Sequence, residues 1–246
     1  MKKSLIIDIG NTRTKLAIFQ DDTIQLKEIW EDWNLEDLKK FLKNHKEIQR
    51  IAVSSVSLVW EDVNEFLLKN YFFLNLTETT PLPIQNNYAT PKTLGKDRLA
   101  AVVGAHTLYP DANCLVIDAG TCITYDLITS DGVFLGGNIS PGIDIRLKGM
   151  HSFTARLPLL EREDIQKDIG YSTKSAMLIG AMTGTVMEIK GFIDHYKAQF
   201  SPLKVIFTGG SANYFEKKIK NRLFVHPNLV LTGLNKILNY NVSILE

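Results

Sequence analysis

Residues 5–14 read LIIDIGNTRT, and residues 115–124 read LVIDAGTCIT. The second stretch repeats the first with Leu, Ile, Asp, Gly and Thr in register, so that Asp118 lies 110 positions after Asp8. Each copy is a short apolar strand, then Asp-x-Gly with a small polar residue, then a second β-rich run, which predicts a β-hairpin. A repeat of this kind indicates a chain built from two similar units.

The rest of the chain alternates between helical and strand patterns, which predicts an α/β fold. Predicted helices cover residues 35–46, 63–70, 99–108 and 175–200, and predicted strands cover 51–56, 114–118, 124–128, 133–138 and 204–207. A Pro-rich, polar stretch at 77–92 interrupts the alternation in the first half. The boundary is predicted at Pro110 and Asp111, which gives domains 1–110 and 111–246.

The composition is that of an ordinary globular protein. The 246 residues are 45% hydrophobic and carry a formal net charge of +1, with no basic stripe that would indicate nucleic acid as a partner. The N-terminus lacks the apolar core of a signal peptide, and no other window approaches the length of a membrane-spanning helix. Cys114 and Cys122 are interpreted as buried free thiols of a cytoplasmic protein, because no further cysteine or clustered histidine completes a metal site.

The turn of the first hairpin has the residues of a phosphate site. A tight turn with glycine leaves backbone N–H groups without ladder partners, and such groups bind phosphate oxygens. Asp8, Asn11, Thr12 and Lys15 surround this turn, where Lys15 would neutralise phosphate charge and Asp8 would face a divalent cation. Taken alone, Lys15 is equally well interpreted as a solvated strand residue. Neither a P-loop nor a G-x-G-x-x-G motif follows a predicted strand.

Two further segments are candidates for chemistry. Residues 208–211 read TGGS after a predicted strand, where bare backbone lets a flat ring or a ribose approach, although a plain strand-to-helix turn has the same pattern. Asp97 lies in LGKDR at 94–98, directly before a predicted helix. There it would cap the helix or accept a proton from an attacking hydroxyl group, and the residues alone leave both interpretations open.

In combination these motifs resemble those of the type III pantothenate kinases, a family of the actin, hexokinase and Hsp70-like superfamily. The shared motifs are D-x-G-N-T-x-x-K at 8–15, P-x-x-x-G-x-D-R at 91–98, D-x-G-T-x-x-T-x-D at 118–126, G-G-x-I-x-P-G at 136–142, T-A-x-L-P at 154–158 and T-G-G at 208–210. Their order and spacing extend over most of the chain. The departures are Ser211, where many relatives carry an acidic residue, and Cys122, at a position of small residues.

The resemblance implies two similar actin-like (ribonuclease H-like) domains with a cleft between them, and transfer of phosphate from ATP to pantothenate in coenzyme A biosynthesis. The residues implied to hold ATP are Asp8, Ile9, Gly10, Asn11, Thr12, Arg13, Thr14, Lys15 and Thr121. The residues implied to line the pantothenate site are Tyr88, Gly95, Lys96, Asp97, Arg98 and Thr173. Asp97 would be the base, Asp118 would help bind a monovalent cation (K⁺ or NH₄⁺), and Mg²⁺ would accompany ATP.

The resemblance also implies a homodimer with the pantothenate site near the subunit interface. Gly180, Gly184 and Gly191 in the long predicted helix agree with close packing against a second subunit or against the core. Two other classes stay open. A sugar or acetate kinase would share the hairpins but not the segments at 95–98 and 136–142, and a filament-forming actin-like nucleotide binder would have a longer chain. No membrane or nucleic-acid partner is expected.

Overall fold

A computed structural model describes residues 3–10, 13–55, 60–163, 168–219 and 223–245. The predicted phosphate-binding residues Asn11 and Thr12 lie outside these ranges, as does Val56 at the end of a predicted strand. The strands in chain order are β1 (Lys3–Ile9), β2 (Thr14–Gln20), β3 (Thr23–Trp30), β4 (Ile48–Ser55), β5 (Phe72–Asn75), β6 (Gln85–Asn86), β7 (Asn113–Ala119), β8 (Cys122–Ile128), β9 (Val133–Pro141), β10 (Leu203–Thr208) and β11 (Phe224–Val225). The helices are α1 (Leu35–Asn44), α2 (Glu61–Asn70), α3 (Lys96–Leu108), α4 (Ile143–Ser152), α5 (Thr173–Gln199), α6 (Ala212–Lys218) and α7 (Leu229–Ser243).

The chain divides into two compact units. Unit 1 comprises Met1–Pro110, Asp131–Phe134 and Asn228–Glu246, and unit 2 comprises Asp111–Ser130 and Leu135–Pro227. The sequence-based division left everything after residue 110 in the second domain, whereas α7 belongs to unit 1.

Helix α7 belongs to unit 1 because it crosses α3 in close contact. A Cβ on Gly104 of α3 would overlap the carbonyl oxygen of Leu229, and a Cβ on Gly233 of α7 would overlap that of Ala100. Both glycines are therefore required by the close approach of two helix backbones.

The sheet of unit 1 has the strand order β3-β2-β1-β4-β5. Strand β1 pairs antiparallel with β2 and parallel with β4, while β3 extends the antiparallel side and β5 the parallel side. Within the first hairpin, Asp8 lies directly opposite Lys15 and Ile9 opposite Thr14.

The sheet of unit 2 repeats this order as β9-β8-β7-β10-β11. Strand β7 pairs antiparallel with β8 and parallel with β10, and β11 is parallel to β10. The two units therefore share one topology, as the internal repeat predicted. Strand β6 pairs in parallel with Val133 and Phe134, the residues of β9 that belong to unit 1.

The two faces of the unit 1 sheet are covered by different helices. Leu5 and Ile7 of β1 and Leu16 of β2 belong to a hydrophobic core built with α1 and α2. Helix α7 contacts β1 and β4, and α3 contacts β4. Because successive strand residues point to opposite faces, Asp8 points away from the α1 and α2 core.

Several elements differ from the sequence-based expectation. Helix α3 begins at Lys96, three residues before the predicted start, so Asp97 lies inside its first turn. Strands β3, β5, β6 and β11 and helices α4 and α7 were not predicted. Cys114 is buried as expected, but Cys122 is exposed at the start of β8, so the expectation of two buried thiols was wrong for Cys122.

Helix α5 is the one helix of the described ranges that is long and apolar enough, by length and composition, to cross a membrane. The sequence-based expectation of no such window was therefore wrong. Leu178, Ile189 and Ile193 of this helix are buried in the hydrophobic core of unit 2. Core helices pass the same test of length and composition.

Candidate active site

Asp8 and Lys15 form a charged pair at the base of the first hairpin. They face each other across β1 and β2, and the Gly10 N–H donates to the Arg13 carbonyl oxygen at 3.1 Å beyond them. Asp8 is only 8% exposed. Burial raises the pKa of the Asp8 carboxyl from its usual 3.8 to about 6, with Lys15 opposing the rise and the carboxylate of Asp97 adding to it.

Asp97 lies close enough to Asp8 for the two carboxylates to interact. The N-cap of α3 is Gly95, which has no side chain, and the Asp97 Oδ1 accepts the Arg98 N–H at 2.8 Å. Asp97 thus satisfies one N–H of the first turn without being the capping residue. A Cβ on Gly95 would lie 2.5 Å from the Asp97 Oδ1, so glycine leaves room for this carboxylate.

Three of the residues expected to bind pantothenate lie in one part of unit 1. The Arg98 guanidinium lies 5.4 Å from the centre of the Tyr88 ring, and Arg98 is 5% exposed. The Tyr88 ring stacks on Phe134 at 6.1 Å. Asp97, adjacent to Arg98 in the chain, completes a group of one carboxylate, one guanidinium and one aromatic face.

Lys96 and Thr173 are placed differently from this group. The Lys96 ammonium lies 3.8 Å from the Glu78 carboxylate, so it has an acidic partner within the chain. Thr173 is the first residue of α5, is exposed and belongs to unit 2.

The side chains of Arg13 and Thr14 already have partners within the protein. The Arg13 Nε donates to the Glu31 carboxylate at 3.0 Å, with both side chains exposed. The Thr14 hydroxyl is buried and accepts the Trp33 indole N–H at 2.9 Å. Thr14 therefore points toward the α1 and α2 core, on the face opposite Lys15, and Trp33 is a neighbour that no sequence motif indicated.

The second hairpin has the same plan with a shorter turn. Asp118 lies opposite Thr124, and the Gly120 N–H donates to the Cys122 carbonyl oxygen at 2.9 Å. Because Asp8 faces Lys15 in the first hairpin, Thr124 is the structural counterpart of Lys15. The sequence alignment of Thr124 with Thr14 is therefore off by one residue after the turn.

The turn of the second hairpin is packed against two glycine segments. The Gly142 N–H donates to the Thr121 carbonyl oxygen at 3.0 Å, and a Cβ on Gly142 would overlap that oxygen. On the other side, Gly209 has φ +89° and would place a Cβ against the Asp118 carboxylate and the Ala119 backbone. The G-G-x-I-x-P-G and T-G-G segments therefore both contact the hairpin, which the motifs alone did not indicate.

An arginine that sequence reasoning missed supports the T-G-G segment. Arg162 makes a bidentate ion pair with Asp144, at 2.6 and 2.7 Å, and donates to the Ser211 hydroxyl at 2.8 Å. The Ser211 N–H in turn donates to the Ala119 carbonyl oxygen at 2.9 Å. Ser211 thus connects the turn after β10 to both the hairpin and Arg162.

A second missed residue, Glu188 of α5, organises the segment before Gly142. Its carboxylate accepts from the Tyr125 hydroxyl at 2.8 Å and the Ser140 hydroxyl at 2.6 Å, and it pairs with Arg146. Burial acts to raise the pKa of Glu188, but these three hydrogen bonds hold it below its usual value. No spacing rule links these four residues, which come from four different elements.

The residues suited to cations are the carboxylates at the two hairpins. Among the described residues, no group of three or more His, Cys, Asp or Glu side chains is arranged to hold a metal ion by itself. Asp8 is buried and interacts with Asp97, so a divalent cation beside it would offset negative charge. Asp118 lies against the Gly209 backbone, and oxygen donors of this kind suit hard cations.

The chain matches the family model described as Type III pantothenate kinase over residues 4–195. Curated relatives called Type III pantothenate kinase include one from Christiangramia forsetii, 45% identical and covering 97% of this chain and 98% of its own. Another, from Porphyromonas gingivalis, is 42% identical and covers 98% of this chain and all of its own.

Solved structures share the fold at lower identity. A Baf family protein from Campylobacter jejuni superposes with a TM-score of 0.63 at 24% identity, covering 97% of this chain and 99% of its own. The inorganic polyphosphate/ATP-glucomannokinase from Arthrobacter sp. strain KM has a TM-score of 0.51 at 13% identity, with full coverage of both chains. The predicted α/β class with two similar actin-like domains is confirmed.

Proposed function

This chain belongs to the type III pantothenate kinase family, and from that premise we propose that it transfers the γ-phosphate of ATP to the primary hydroxyl of pantothenate. The product is 4'-phosphopantothenate, and the reaction is the first step of coenzyme A biosynthesis. The observation that carries the proposal is the closeness of the Asp97 carboxylate to the Asp8–Lys15 pair of the phosphate hairpin. The family match argues against the sugar-kinase, acetate-kinase and filament alternatives.

Asp97 is the proposed base. It would accept the proton of the primary hydroxyl as the hydroxyl oxygen bonds to the γ-phosphorus and the bond from that phosphorus to ADP breaks. Arg98 and Tyr88 would bind pantothenate, a small anion that needs a donor and an apolar contact. Gly95 supports this role because a larger residue would displace the Asp97 carboxylate.

ATP is proposed to be bound by residues 8–15 and by Thr121. In residues 8–15, Lys15 would neutralise phosphate oxygens, while the backbone of the turn would donate N–H groups. Thr121 would add a contact from the second hairpin, since it is exposed at the tip of the turn. The burial of the Thr14 hydroxyl supports a backbone or positioning role for Thr14 in place of a direct side-chain contact.

Kinases of this kind use ATP with a divalent metal, and we propose Mg²⁺ beside Asp8. A divalent cation neutralises phosphate charge, and Asp8 would hold it near the β- and γ-phosphates. A monovalent cation, K⁺ or NH₄⁺, is proposed at Asp118, where the carboxylate lies against the Gly209 backbone.

A homodimer formed through α5 is proposed, in a protein of the cytoplasm. Gly180, Gly184 and Gly191 recur on one face of this helix. Apart from the neighbouring backbone of α5 itself, a Cβ on each would meet no atom of the described residues within 4 Å. Met187, on the same face, is 67% exposed. Such a face suits close contact with a second copy. Thr173 shares this face, which supports its place in a pantothenate site near the subunit interface.

The activity is tested by measuring ATP-dependent phosphorylation of pantothenate, glucose, N-acetylmannosamine and acetate by the purified protein. We expect transfer to pantothenate alone. Faster transfer to a sugar or to acetate than to pantothenate would contradict the proposed substrate while leaving the kinase fold intact.

A further inference from the structure

Trp33 anchors the strand that carries Lys15. It lies between β3 and α1, and its indole N–H donates to the Thr14 hydroxyl at 2.9 Å. Thr14 is the first residue of β2 and is 4% exposed, so the hydroxyl that accepts this hydrogen bond is shielded from water. A shielded hydrogen bond restrains its partners more than one exposed to solvent competition.

The direction of Thr14 determines that of Lys15. Successive residues of a strand point to opposite faces, so holding Thr14 toward the core turns Lys15 toward the face that carries Asp8. The neighbouring Arg13–Glu31 ion pair joins the same two segments, but both of its side chains are exposed. Exposed pairs contribute little, so of these two contacts the Trp33–Thr14 bond is the stronger restraint on this end of β2.

We infer that Trp33 is a positioning residue for the phosphate hairpin: it fixes Thr14 and thereby sets Lys15 toward the ATP phosphates. The inference rests on the proposed function, because it requires the hairpin to hold phosphate. Trp33 itself is not assigned a contact with either substrate.

Tryptophan fluorescence can be used to follow ligand binding at the first hairpin. The three tryptophans of the sequence, Trp30, Trp33 and Trp60, lie together, with ring centres 5.7 Å apart for Trp30 and Trp33 and 4.7 Å apart for Trp33 and Trp60. Intrinsic tryptophan fluorescence therefore comes from a cluster hydrogen-bonded to Thr14. Nucleotide binding at the hairpin should change this emission through Trp33.

The test compares Trp33→Phe with the wild-type protein. Phenylalanine keeps an aromatic ring but removes the N–H donor, so we expect the KM for ATP to rise about 3- to 10-fold, the range given by one hydrogen bond. The KM for pantothenate should change less than about twofold. Thr14→Val removes the other partner, and Trp33→Phe with Thr14→Val should be no worse than the worse single variant.

Trp60→Phe is the matched control, because it makes the same chemical change beside Trp33 without removing the Trp33–Thr14 bond. Its KM for ATP should stay within about twofold of wild type, and its emission should still respond to ADP, whereas the response of Trp33→Phe should be largely lost. Thermal melts of all variants separate misplacement of the hairpin from loss of fold.

The possible results either support or contradict the positioning role of Trp33. A raised KM for ATP alone, with non-additive double substitution, supports the inference. Equal increases in both KM values that follow a loss of thermal stability, or additive effects of the two substitutions, would overturn it and leave the kinase activity standing. A wild-type protein that phosphorylates nothing with ATP would overturn the proposed function and this inference together.

Discussion

Replacing Asp8 with Asn should stabilise the free protein while abolishing most of its activity. The pKa of Asp8 rises from 3.8 to about 6 on folding, mainly because the carboxylate is buried. The protonated form is therefore favoured in the folded state, and the resulting stability is present below pH 3.8 and lost as pH rises through about 6. That shift corresponds to about 3 kcal/mol at neutral pH, because each pKa unit is about 1.4 kcal/mol.

Asparagine is neutral at every pH and nearly the same size as aspartate, so it should recover most of this free energy. For a chain of this length we expect the Tm of Asp8→Asn to exceed that of wild type by about 6–12 °C at pH 7.5. Near pH 4 the difference should vanish, because wild-type Asp8 is then largely protonated. Activity should fall because the carboxylate proposed to face the divalent cation is gone.

The assay is thermal unfolding at pH 4, 5, 6 and 7.5 in EDTA without nucleotide, with Asp111→Asn as a control at an exposed carboxylate. Repeating the melts with MgATP should reduce the advantage of Asp8→Asn, since ligand binding stabilises the wild-type protein more. An Asn variant that is less stable at pH 7.5, or whose advantage does not depend on pH, would refute the reasoning.

Three further outcomes are expected. Asp97→Asn should lower kcat by about 10² to 10⁴ with a nearly unchanged melt, and a folded variant with near-normal kcat would exclude Asp97 as the base. Turnover should be higher in K⁺ or NH₄⁺ than in tetramethylammonium buffer, and Asp118→Asn should remove that preference; equal wild-type rates in all three argue against the cation site. By light scattering, the wild-type protein should be a dimer and Gly180→Leu a monomer. A dimer in both proteins would place the interface outside this face of α5, and a wild-type monomer would contradict the proposed homodimer.

The elements that sequence reasoning found are those with strong local signals. The repeated Asp-x-Gly hairpins predicted two similar units, and the structure shows the same strand order around each hairpin. Strand β3 was missed because polar and apolar residues alternate only along 23–27, and the adjacent Lys27 and Glu28 break the pattern of a half-exposed strand. The residues of α7 were left in the second predicted domain, although they belong to unit 1, because their partner α3 precedes them by more than a hundred residues and no local pattern records such a contact.

The candidate site shows the same division. Asp8, Lys15, Asp97 and Arg98 were found because each lies in a motif. Trp33 contacts the first hairpin, Arg162 the T-G-G segment and Glu188 the segment before Gly142. All three lie in ordinary helical or loop sequence and act through hydrogen bonds to distant positions. The side-chain direction of Thr14 could have been predicted from the sequence. Thr14 lies two residues before the apolar Leu16 in the same strand, and Leu16 is buried, so both side chains point to the same face of the sheet.

The crossing of α3 and α7 at Gly104 and Gly233 has a consequence for the newly made chain. Helix α3 begins with the segment that carries Asp97, and its partner α7 is translated only after all of unit 2. Unit 1 therefore still lacks one of its helices when Pro227, the last residue of unit 2, has been added to the chain. The domain that bears the proposed base is synthesised first and finished last.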